Sequence, residues 1–196
     1  MLSHWRRAKG MTLIELMIGL ALLGILAVLA GPSFSAWMQS SQIRTAAEAL
    51  QNGLTLARAE AVRRNTAVRF QLVSTVADGC ALASTGTNWV VSLDDPTGSC
   101  ADAASDNVAP RIIQTRDAAE GSPNAVADAA GVTTVVFNRN GGVVPPANIV
   151  INVTNPTGGL CAQAGGPMRC LRVTVSAGGQ VRMCDPARAA GDPQGC

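Results

Sequence analysis

The chain has 196 residues, 47% of them apolar, and a formal charge of +2. That is room for one domain with its own core and a membrane anchor. Arg6, Arg7 and Lys9 supply the positive excess, and residues 11–196 carry 12 Arg, 13 acids and neither His nor Lys. General acid–base chemistry would therefore fall to carboxylates alone.

The amino terminus is a short basic leader, Met1 to Gly10, followed by an apolar run from Met11 to Gly31 whose one charge is Glu15; Pro32 closes it. About 20 helical residues at about 1.5 Å each span one hydrocarbon core. The leader cations favour the cytoplasmic side. An ordinary secretory signal fits poorly. The run is too long, no small-x-small site follows it, and an acid lies inside it. An isolated carboxylate in lipid costs roughly 3 kcal/mol or more, so Glu15 requires a partner charge.

The stretch Lys9-Gly10-Met11-Thr12-Leu13-Ile14-Glu15-Leu16 resembles the class III signal of type IV pilins and pseudopilins. The resemblance implies a prepilin peptidase/N-methyltransferase that cuts after Gly10 and methylates Met11. It also implies that Glu15 attracts the terminal amine of a neighbouring subunit during assembly. Family members usually begin the mature chain with Phe, and here Met11 stands there. Gly19, Gly24 and Gly31 permit close helix packing or local melting, and Pro32 removes a helix hydrogen bond.

Ile43, Ala46, Ala47, Leu50, Leu54, Ala57 and Ala61 recur at helical spacing and predict one core-facing stripe. Arg44, Glu48, Arg58 and Arg63 are expected to face elsewhere, and the helix is expected to end near Asn65. Beyond it, frequent Gly and Pro predict short strands and many turns. Strands are expected over 67–76, 88–93, 111–115, 132–138, 149–153, 171–176 and 180–183. The last two read as a hairpin around Gly178-Gly179. Loops 77–87, 94–110 and 116–131 read as surface excursions.

Six cysteines after an export signal imply an oxidising compartment and disulfides. Sequential pairing, Cys80 with Cys100, Cys161 with Cys170 and Cys184 with Cys196, closes three local loops, but six cysteines allow 15 connectivities. Zinc is the rival reading, and it lacks both a Cys-x-x-Cys knuckle and any His beyond His4. Asp94-Asp95 reads as a turn before Pro96, and Asp102 and Asp106 do not match a calcium loop. No phosphate-binding loop, nucleophile elbow or zincin motif occurs. The chain is expected to be no enzyme and to need no cofactor or metal.

Three further segments extend the resemblance. Leu56-Ala57-Arg58-Ala59-Glu60-Ala61-Val62-Arg63-Arg64-Asn65, residues 132–141 and the closing run 170–186 are similar to the GspH/FimT branch of minor pilins and pseudopilins. That resemblance implies an α+β fold: a long amino-terminal helix packed on a small antiparallel β-sandwich head. The domains expected are a leader over 1–10, a transmembrane and filament-core helix over 11–32, its amphipathic continuation over 33–65 and a β-rich head over 66–196. The implied place is the inner membrane with the head in the periplasm, and then a pilus or pseudopilus. The implied partners are other major and minor pilins and the inner-membrane assembly platform.

Three functions follow from the resemblance. One is a minor type IV pilin that primes or builds the pilus near its tip, supporting twitching motility or DNA uptake. Another is a minor pseudopilin of type II secretion. The last is DNA capture in natural transformation. FimT-type proteins carry a Gly-Arg-x-Arg element, matched here by Gly179, Gln180, Val181 and Arg182, with Gln in place of the first Arg. Arg169, Arg172, Arg182 and Arg188 are the DNA-binding candidates. Charge is segregated along the chain: residues 78–128 carry eight acids and two Arg, and residues 129–196 carry five Arg and two Asp. This is either ordinary surface charge or a basic face that meets an anionic partner.

Overall fold

A computed structural model of the chain describes residues 11–189 and 191–196, with the side chains of residues 27–33 outside the described set. The chain divides into two units, Met1–Ser35 and Ala36–Cys196. Helix α1, Leu13–Arg64, contributes to both.

In the first unit, the described side chains of residues 11–26 are exposed and almost all apolar. Among the described residues no helix is long and apolar enough to cross a membrane. The expected transmembrane segment 11–32 is described only in part, because its last six side chains fall outside the described set.

In the second unit, α1 ends where the sequence supplies a cap. Asn65 adopts the left-handed conformation (φ 52°). Its N–H donates to the Val62 carbonyl, and the Thr66 N–H donates to the Ala61 carbonyl. This paired closure satisfies carbonyls that a helix end otherwise leaves open.

Eight strands follow: β1 (Val68–Leu72), β2 (Trp89–Ser92), β3 (Ile112–Arg116), β4 (Val126–Asp128), β5 (Thr134–Phe137), β6 (Ile149–Thr154), β7 (Leu171–Val175) and β8 (Val181–Cys184). They form two four-stranded sheets, ordered β3-β2-β1-β5 and β4-β6-β7-β8. All pairings are antiparallel. The β7–β8 hairpin turns through Ala177, Gly178 and Gly179, with Gly179 left-handed (φ 79°) and its N–H on the Ser176 carbonyl. A Cβ on Gly179 would run into the Gly141 carbonyl oxygen, so two turns meet there.

The helix stripe joins both sheets into one core. Ile43, Ala46, Ala47, Leu50, Leu54, Ala57 and Ala61 are all buried against Phe70, Leu72, Trp89, Val135 and Phe137 of one sheet and Ile151, Val153, Val173 and Val175 of the other. Small residues in the stripe let the sheets come close. At Gly53 an added Cβ would lie 2.8 Å from Phe70 Cε2 and 2.9 Å from Trp89 Cζ2. The two rings pack tilted, with centroids 5.5 Å apart. Arg58 does not simply face solvent: its Nε donates to the Gly141 carbonyl at 3.2 Å.

Two sequence expectations need correction. The segment 116–131 is not only loop, because β4 lies inside it as an edge strand on β6, with Ala127 opposite Val153. The loops after β1 and β2 are not only surface excursions either. Val73, Val90 and Ile112 form a second core on the outer side of the β3-β2-β1-β5 sheet, closed by Cys80 and Cys100. For this reason β2 is buried on both faces. All six cysteines are in disulfides, Cys80–Cys100, Cys161–Cys170 and Cys184–Cys196.

Glu60 organises the helix end electrostatically. It accepts from Arg63 Nη2 at 2.6 Å and Arg64 Nε at 2.7 Å. Arg64 Nη1 also reaches Asp106 at 2.6 Å, which ties loop 94–110 to the helix. The Arg63 hydrogen bond, joined by Arg64, lowers the Glu60 pKa to about 2.

Gly53→Ala should destabilise the head by about 1–3 kcal/mol through overpacking, despite the better helix propensity of Ala; thermal unfolding of the full chain measures it. The folded Glu60 pKa lies below its unfolded value. Its stabilisation is therefore present above about pH 4.5 and lost as pH falls toward 2. Glu60→Gln should remove on the order of 2 kcal/mol of the stability difference between pH 5 and pH 2.5, read from denaturant midpoints at the two pH values.

Candidate functional site: the helix start and the carboxy-terminal arginines

The first site is the start of α1. Met11 precedes the helix and is exposed. Thr12 is the N-cap, and its carbonyl accepts from the Leu16 N–H at 3.2 Å. The Glu15 N–H donates to Thr12 Oγ1 at 3.3 Å. In return, Glu15 Oε2 accepts from the Thr12 N–H at 3.0 Å and from the Thr12 hydroxyl at 2.8 Å. This is a capping box, and it places a negative charge where the helix dipole favours it. Thr12 was the positioning residue that sequence reasoning missed. The signal was there, a Thr three residues before a Glu at the front of an apolar run. Gly10 lies outside the described residues. Pro32 falls within α1, and its side chain lies outside the described residues.

The second site holds the four arginines proposed from sequence. The structure brings Arg169, Arg182 and Arg188 to the carboxy-terminal loop and pairs Arg172 with Asn152 instead. Arg172 lies on β7 opposite Cys184, and Arg182 lies on β8 opposite Thr174. Val173, Val175, Val181 and Met183 pack toward the core, so alternation puts Arg172 and Arg182 on the outer face. Arg172 Nε donates to Asn152 Oδ1 at 2.9 Å. Arg182 Nη2 donates to the carbonyls of Pro193 (3.0 Å) and Gly195 (2.8 Å).

Arg169 and Arg188 gather instead around Asp185, just past the end of β8. Arg169 Nε is 2.7 Å from Asp185 Oδ2, and Arg188 Nε is 3.9 Å from the same oxygen. The Ala187 N–H donates to Asp185 Oδ1 at 2.9 Å. The Asp185 side chain is only 5% exposed. Arg188 also holds Asp192 at 3.0 Å. The Gln194 backbone N–H, then Arg188, draws the Asp192 carboxyl below its ordinary range.

Three of the four arginines therefore grip the carboxy-terminal loop: Arg169 through Asp185 and Gln194, Arg182 through backbone carbonyls, and Arg188 through Asp185 and Asp192. The Cys184–Cys196 disulfide closes the same loop. A buried carboxylate with two hydrogen-bond donors and a second guanidinium nearby is a structural anchor, and losing its charge should cost about 1–3 kcal/mol. Asp185→Asn should lower the stability of the head by that amount and open residues 186–195 to limited proteolysis, read by mass spectrometry of the fragments.

The comparisons with known proteins agree with this architecture. A model of the prokaryotic N-terminal methylation motif matches residues 5–31. A family model described as type II transport protein GspH matches residues 46–179. Among solved structures the chain is similar to the type IV minor pilin FimU of Pseudomonas aeruginosa strain PAO1. The TM-score is 0.52 at 18% identity, covering 76% of this chain and 92% of FimU. A second crystal form of FimU gives 0.49 at 17% identity, covering 76% and 97%. At this identity the likeness is one of fold. No curated protein matches the chain. With a family model spanning most of the helix stripe and most of both sheets, the chain belongs to the GspH family, in the GspH/FimT branch of minor pilins and pseudopilins.

Proposed function

We propose that the chain is a minor subunit of a type IV pilus that primes or builds the fibre, at or near its tip. The observation that carries this reading is the placement of Glu15. Its carboxylate sits at the start of α1 inside the methylation-motif match, with both Thr12 bonds ending on Oε2. Oε1 is the oxygen available to a neighbour's terminal ammonium. Before assembly, residues 11–32 would hold the chain in the inner membrane with its head in the periplasm. Prepilin peptidase would cut after Gly10, and Met11 would be methylated. Joining the fibre would then cover the apolar side chains of residues 11–26 with those of other pilins, on the inner-membrane assembly platform. The protein acts by binding and carries no catalytic residue of its own. FimU, whose fold the chain shares, is a type IV minor pilin.

The second reading is a minor pseudopilin of type II secretion, and the description of the matching family favours it. The two differ in which filament is lost. A strain lacking the gene should shed few sheared surface pili, and the complementing gene should restore them. Complementation with Glu15→Ala should leave the protein present and processed but should not restore pili. Normal pili together with loss of type II-secreted proteins would give the pseudopilin reading instead.

A further inference from the structure

Residues Trp37, Ser40, Ser41 and Arg44 stand at i, i+3, i+4 and i+7 and make one side of α1. Neighbouring positions of the same stretch pack on the head. Ile43, Ala46 and Ala47 are buried in the core. Gln39 Oε1 accepts from Asn155 Nδ2 at 2.6 Å, and Gln42 Oε1 accepts from the Asn124 N–H at 3.0 Å. The ends of β7 and β8 and the carboxy-terminal loop stand across from the first side. Between them lies an open groove of about 670 Å³. Leu171 and Met183 line it on the strand side. Trp37, 65% exposed, lines it on the helix side.

The groove's accessible charge is positive. The Arg44 side chain is 73% exposed and holds Glu48 through Nε alone. That is an exposed i,i+4 pair worth a few tenths of a kcal/mol and readily exchanged. The Arg169 side chain is 53% exposed. The one acid in the described lining, Asp185, is nearly buried and faces two guanidinium groups, those of Arg169 and Arg188. Small Ser40 and Ser41 let a backbone approach the helix and offer it two hydroxyls.

The geometry points to a docking site for an acidic segment of a neighbouring filament subunit. An apolar side chain of that segment would seat between Trp37, Leu171 and Met183, and a carboxylate would lie between Arg44 and Arg169. The proposal rests on the filament reading above. Charge complementarity and the apolar lining argue for this occupant. Two guanidinium groups beside an apolar wall and a carboxylate suit one acid with a greasy neighbour better than a run of phosphates. This family member itself shows that heads carry such segments: residues 78–128 hold eight acids against two Arg, with Val108 exposed among them.

The test uses the full-length protein in its own cells, with Ser41 replaced by the photo-crosslinking residue p-benzoylphenylalanine and the adduct identified by mass spectrometry. The expected adduct joins position 41 to a net-acidic segment of another pilin or pseudopilin subunit. Arg44→Glu and Arg169→Glu should each lower its yield roughly tenfold, the scale of one charge-assisted contact turned repulsive. Arg44 is largely exposed, so its variant keeps the test valid if Arg169→Glu disturbs the loop; intact disulfides confirm the fold. An adduct undiminished by Arg44→Glu, an adduct to lipid or nucleic acid, or none from assembled protein would each overturn the proposal. An adduct to a type II pseudopilus subunit with the same charge dependence would overturn the pilus reading and leave the groove standing.

Discussion

Everything in the head depends on one constraint: two sheets must share a single helix face. The face is narrow and built from small residues, with Ala46, Ala47, Gly53, Ala57 and Ala61 between Ile43, Leu50 and Leu54. Larger side chains would hold the sheets apart. The volume comes from the sheet side instead, where Phe70, Trp89 and Phe137 press inward. With three Phe, three Trp and no Tyr in the chain, these few rings carry much of the packing. Burying small residues under large ones fixes the distance between layers more tightly than an all-leucine face would.

The parts of the fold legible in the sequence were those with a strong local period. The helix stripe repeats over five turns, and the strands β1, β5, β6 and β7 alternate against one core. β4 was not legible because Val126–Asp128 is three residues long and sits among Ala and Gly without alternation. It exists only because β6 offers it an edge. β2 conceals a second core: Val90 looked like one more apolar residue, and its burial depends on loops that a disulfide holds in place. At the candidate site, the Arg positions were visible but their partners were not. Arg182 spends its hydrogen bonds on main-chain carbonyls 11 and 13 residues away, which leave no trace in residue type. Glu15 is legible both as the one charge in an apolar run and as the acid of a capping box.

Arginine does nearly all the cationic work here, and its planar fork matters. Arg111 meets Asp94 with two parallel bonds of 2.7 Å, and Arg64 bridges Glu60 and Asp106 at once. A lysine could supply the charge at these places but not two directed bonds. The ion pairs thus serve less as a sum of small energies than as fixed joints between loops and the helix end.

The three disulfides differ in how far solvent reaches them. Cys80 and Cys100 are 2% and 1% exposed inside the second core, whereas Cys196 is exposed and Cys161 half-buried. A soluble thiol can attack an outer bond in the folded head, but it meets the inner one only after the loops over β2 have opened. The inner bond therefore behaves as part of the hydrophobic interior, insulated from the redox state of its surroundings. The outer bonds remain chemically answerable to theirs.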